Sequence, residues 1–117
     1  MELDLFAGIA VRDLARATAW YDHFFDGAEA FDPNDTERVW TLAENRHVYV
    51  EVAPDHAGHS MVTLFVADLD VFTAAAAGHG IHPEQRESYE NGVRKAIYRD
   101  PDGNEIGVGG APVQAEG

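Results

Sequence analysis

Glu51 is the residue through which this chain could most readily do chemistry. It ends the run His47-Val48-Tyr49-Val50-Glu51, where alternation puts Tyr49 and Glu51 on one strand face and Val48, Val50 and Val52 on the other. A carboxylate beside a phenol could act as a general base, or accept a hydrogen bond from a ligand's amine or hydroxyl. The plainer expectation is a carboxylate bonded to tyrosine or arginine partners, for example Arg38 or Arg94. The six histidines do not supply a metal set. His47 shares the Glu51 face, but four strand residues separate them by about 13 Å, too far for one ion. His56 and His59 fall in a polar link, although His59 would join the face of Met61 if that strand began early. His23, His79 and His82 fall at helix and loop ends. There is no cysteine, which excludes disulfides, thiolate zinc sites and thiol nucleophiles. No Ser-His-Asp spacing, glycine-rich phosphate loop or paired-carboxylate signature is present.

Two similar half-chains must place these residues. Ile9–Ala17 resembles Leu64–Phe72, and Arg38–Val52 lines up with Arg94–Val108. In the first half, the pattern predicts a strand over Leu5–Val11 and a helix from Asp13 to Phe25, stopped by Gly27. Short strands follow near Ala28–Phe31, Val39–Ala43 and His47–Ala53, separated by Asp32–Asp35 and Glu44-Asn45. The second half predicts a strand over Met61–Val66, a helix from Leu69 to Ala77, and strands near Ile81–Glu87, Val93–Arg99 and Glu105–Val108. Asp13 and Asp68 are placed to cap the helices, and Asn91-Gly92 is a hairpin turn. Asp100-Pro101-Asp102-Gly103 is another, with proline presetting its own φ and Gly103 free to take a positive one. The fold class is α+β.

The 117 residues suit one ordinary core. A formal net charge of −13, with one lysine beside seven arginines, argues against nucleic acid and anionic membrane surfaces. No basic stretch leads into an apolar run at the N-terminus, and no segment is apolar for long enough to cross a bilayer, so the expected location is cytoplasmic.

Three stretches carry a family resemblance: Val11-Arg12-Asp13-Leu14 with Trp20-Tyr21, Phe65-Val66-Ala67-Asp68-Leu69-Asp70, and Arg99-Asp100-Pro101-Asp102-Gly103-Asn104-Glu105-Ile106. In these the chain resembles the vicinal oxygen chelate superfamily of glyoxalases, bleomycin-resistance proteins and extradiol dioxygenases. The resemblance implies one domain over 1–110, with tandem βαβββ modules at about 4–53 and 60–110 joined by the link 54–59. Their mixed sheets would form an open curved cup with helices outside, and the protein would be a homodimer. Residues 111–117 are expected to form a disordered tail. Family enzymes hold a divalent metal in the cup with histidine and glutamate from four strand positions. Phe6, Glu51, Met61 and Gly107 occupy those positions here. Only Glu51 could bind a hard cation, so neither a metal nor another cofactor is expected.

Strand alternation then assigns Phe6, Tyr49, Glu51, Met61 and Phe65 to the cup side, with Trp40 and Tyr98 expected to join them. Among such neighbours Glu51 would be desolvated, which raises a carboxyl pKa. The lining suits a planar or amphipathic small molecule. The expected function is metal-free sequestration of a drug or metabolite, in the manner of the bleomycin-resistance-like branch. The alternatives are a glyoxalase-like lyase or isomerase using Glu51 as base, and a non-catalytic structural or regulatory module whose cup is filled by its own side chains.

Overall fold

Each half of the chain folds as strand, helix and three further strands. The computed structural model describes residues 1–113. The first half comprises β1 (Leu5–Val11), α1 (Leu14–Phe24), β2 (Glu29–Asn34), β3 (Glu37–Ala43) and β4 (Arg46–Val52). The second comprises β5 (Met61–Val66), α2 (Leu69–Gly78), β6 (Gln85–Ser88), β7 (Arg94–Arg99) and β8 (Glu105–Gly110). The strands form two open four-stranded sheets, ordered β1-β4-β3-β2 and β5-β8-β7-β6. Both are mixed: β1 runs parallel to β4 and β5 to β8, and the other pairs are antiparallel. This is the expected α+β pair of βαβββ units. No helix among the described residues is long and apolar enough to cross a membrane.

Local chemistry explains most boundaries. The Asp13 and Asp68 carboxylates accept from Arg16 N (2.9 Å) and Val71 N (3.1 Å), as helix caps should. Two expectations are corrected. β2 continues through Pro33 to Asn34, with a register shift after Phe31, so the turn is Asp35-Thr36; proline is tolerated because β2 is an edge strand. The strand expected from Ile81 begins only at Gln85. Ile81 N instead donates to Ala76 O at 2.9 Å, and its buried side chain closes the end of α2 as a capping hydrophobe. Of the expected tail, residues 114–117 lie outside the described residues. Ala111–Val113 are exposed and without regular structure.

One core serves both sheets. Phe24 of α1 meets Phe72 of α2 at 5.2 Å and Tyr98 of β7 at 4.9 Å, ring centre to ring centre, while Tyr21 meets Trp40 of β3 at 5.4 Å. Ile9, Val11, Val48 and Val50 of the first sheet and Ile106 and Val108 of the second complete it. Each fully buried large side chain here contributes roughly 1.5–3 kcal/mol.

The halves are locked by the turn between β7 and β8. Gly103 N donates to Asp100 O at 2.9 Å, as a tight turn requires, with Gly103 at φ 92°. Asn104, fully buried, uses its whole amide across the joint. Its Oδ1 accepts from Gly58 N (3.0 Å) and Ser60 N (2.9 Å), and its Nδ2 donates to Ala10 O and Asp100 Oδ2, both at 2.8 Å. Asp100 Oδ2 also accepts from the Tyr21 hydroxyl at 2.7 Å. Asp102 Oδ1 accepts from Arg12 and Arg16 at 3.2 Å. The stretch most typical of the family resemblance is thus a structural clasp, and it fixes β1 against the start of β5.

Candidate functional site

Register decides which side chains share a face. Phe6, Gly8 and Ala10 of β1 stand opposite His47, Tyr49 and Glu51 of β4. Met61, Thr63 and Phe65 of β5 stand opposite Glu105, Gly107 and Gly109 of β8. Phe6, Tyr49 and Glu51 therefore lie on one face of the first sheet, and Met61 and Phe65 on the matching face of the second. These faces are open: Phe6 is 48% exposed, Phe65 65% and Met61 74%. Within the first face, Phe6 stacks on His47 with ring centres 4.3 Å apart, and His47 Nδ1 lies 3.0 Å from Thr41 Oγ1. Its alternation with Glu51 places His47 on this face from sequence alone, where it stacks on Phe6 in place of the metal-ligand role its residue type suggests.

Trp40 and Tyr98 are corrected. Trp40 pairs with Val48 and Tyr98 with Ile106, so both point into the shared core and both are fully buried. The Trp40 indole donates to Asp22 Oδ1 at 2.9 Å. The Tyr98 hydroxyl has no partner there, and burial pushes its pKa up.

Glu51 is also corrected. It is exposed, so the expected desolvation is absent. Arg38 pairs with Asp22 and Asp32, and Arg94 with Asp70, so neither partners Glu51. With Tyr49, His56 and Ser60, Glu51 lines a hollow of about 230 Å³ that neither Phe6 nor Met61 reaches. His59 is exposed and does not line it.

A larger cavity, about 460 Å³, opens where the edge strands β1 and β5 diverge. Leu5 and Ala7 form one wall, and Val62, Leu64 and Val66 the other; Phe25, just past α1, and Phe72 of α2 close it. Its lining takes in both faces of β5, since Thr63 and Phe65 also contribute. Arg46, His47 and Thr63 are its polar residues. Of the expected lining residues, only Phe65 borders it.

A family model, that of the Glyoxalase/Bleomycin resistance protein/Dioxygenase superfamily, matches residues 3–108. The chain belongs to this superfamily. It is 47% identical to a glyoxalase/bleomycin resistance protein from Catenulispora acidiphila over 95% of this chain and 100% of that one, with a TM-score of 0.90. The fold is shared with a lactoylglutathione lyase from Agrobacterium tumefaciens (17% identity, 94% of each chain, TM-score 0.79). It is shared too with a fosfomycin resistance protein from Listeria monocytogenes (13% identity, 97% of this chain and 96% of that one, TM-score 0.73). No curated protein matches the chain.

A superfamily member invites a test for a metal centre, and these residues do not fit one. Among the described residues no three His, Asp or Glu side chains are grouped to hold an ion. The positions that the sequence resemblance equates with the family's ligands hold a phenyl ring, a thioether and a glycine beside the single carboxylate Glu51.

Proposed function

We propose that this chain sequesters a small, largely apolar organic molecule between its two βαβββ units, without a metal ion, as a cytoplasmic homodimer. The 460 Å³ cavity carries this reading. Its size falls within the range of about 300–1,000 Å³ typical of small-molecule sites, and an apolar lining with few polar groups is the usual composition of such sites. The homodimer is supported by Phe6, Phe31, Met61 and Phe65, which leave apolar surface on the open sheet faces that a second copy would cover. Planar aromatic compounds should raise the melting temperature in proportion to the logarithm of their concentration once above Kd. A flat response across such a panel favours a purely structural module and overturns the proposal.

The second reading is a glyoxalase-like lyase or isomerase with Glu51 as base. The hollow shared by Glu51, Tyr49, His56 and Ser60 favours it, because a carboxylate, a phenol, an imidazole and a hydroxyl converge there. Turnover of a hemithioacetal that disappears in Glu51→Gln would establish it in place of sequestration.

A further inference from the structure

Lys95 is the only lysine of the chain, and its side chain lies over Gly107. On β7 it faces the same side as Gly107 and Gly109 of β8. A Cβ at Gly107 would collide with Lys95 Cε, and would stand 3.1 Å from Nζ and 3.4 Å from Thr63 Oγ1. The missing side chain at 107 is therefore what lets the lysine lie across β8, and its ammonium and the Thr63 hydroxyl both approach the point where that Cβ would stand. Lys95 is half-buried, and no carboxylate among the described residues is within ion-pair distance of it. Its cross-strand neighbour Glu87 is engaged by the Tyr89 hydroxyl at 3.1 Å. Thr63 also lines the 460 Å³ cavity, and Phe65, packed over Gly109, continues the apolar wall next to it.

From this we infer that Thr63, which lines the cavity, and Lys95, which lies outside its lining, form an anion-gripping corner at its rim, and that the ligand is a small organic carboxylate with a flat or short apolar body. This rests on the small-molecule reading above and adds the chemical class. The physical reason is pairing. A half-buried ammonium with no carboxylate in ion-pair distance gains from a ligand carboxylate, and charge-assisted bonds are about twice as strong as neutral ones. The apolar body then takes the adjacent lining, so the site selects for molecules carrying both features. The ammonium holds the negative end of the ligand by charge, and the chemistry is binding alone.

The test compares phenylbutyrate with its neutral amide, which has the same apolar body. Isothermal titration of the full chain should show the acid bound about ten-fold more tightly than the amide. Lys95→Gln should bring the two to equal affinity, with the amide unchanged. Gly107→Ala should do the same while keeping the charge, because its methyl displaces the lysine tip, a flexible group that can move without disturbing the fold. In the unmodified sequence, the side-chain NMR signal of the single lysine should shift with the acid and not with the amide, a readout independent of any variant. Equal binding of acid and amide, or an acid preference that survives Lys95→Gln, overturns this inference and leaves the small-molecule reading standing. Binding of neither compound, together with a flat response to the aromatic panel, overturns both.

Discussion

Replacing Asn104 with alanine tests whether the β7–β8 turn joins the two halves of the molecule. The substitution removes four hydrogen bonds of 2.8–3.0 Å at a fully buried position. It leaves Gly58 N and Ser60 N of the link and Ala10 O of β1, two separate segments, without that partner. Each neutral bond contributes about 1 kcal/mol net, and a buried group left unpaired costs roughly 1–3 kcal/mol; allowing for water entering the space, the expected loss is about 3–5 kcal/mol. For a domain of this size that lowers Tm by roughly 12–20 °C. Urea unfolding followed by fluorescence of Trp20 and Trp40, the latter buried against Tyr21, measures it. Asn91→Ala is the control: its side chain accepts one bond, from Val93 N at 3.1 Å, at an exposed turn, so it should cost about 0.5 kcal/mol. An Asn104→Ala loss below about 1 kcal/mol, or one equal to the control, refutes the clasp.

Burial, and then the neighbouring Asp100 carboxylate, raises the Tyr21 pKa far above the ordinary tyrosine range. An unfolded tyrosine loses its proton near pH 10 while the folded one keeps it, so this contribution is fully present below about pH 10 and is lost as pH climbs towards the folded value. Stability measured from pH 8 upward should therefore fall beyond about pH 10, and Tyr21→Phe should reduce that slope; an identical slope would count against it. Dialysis against nickel, zinc or manganese followed by elemental analysis should leave no stoichiometric metal, and tight uptake abolished by Glu51→Ala would contradict the reading of Phe6, Met61 and Gly107. Sedimentation should show a dimer that Met61→Lys shifts towards monomer, because a charge on the open sheet face opposes its burial.

Alternation made much of this legible. Phe6, Tyr49 and Glu51 were assigned to one face, and Met61 and Phe65 to the matching face of the second unit, because side-chain direction along a strand follows its own sequence. Trp40 and Tyr98 were misplaced because their facing depends on cross-strand register. Turn geometry and irregularities set that register, such as the shift between Thr41 and Ala43, and one residue of slip reverses a whole strand. The exposure of Glu51 is not legible in its own strand, because whether the two open faces close around one hollow is a matter of how distant units dock. Asn104 was beyond reach, since its partners Ala10, Gly58 and Ser60 lie far away in the chain. The lysine across Gly107 was equally hidden, as it depends on β7 and β8 being neighbours in a particular register.

The claim at the centre is that a small molecule occupies the space between the diverging edges of β1 and β5. Methyl NMR of the labelled chain during titration with phenylbutyrate and with phenylbutyramide addresses it directly. The methyl signals of Leu42, Val62, Leu64 and Val66, which border that space, should move and saturate together. Signals that stay still at ligand concentrations that saturate the melting response, or that move only around Glu51 and Tyr49, would contradict it.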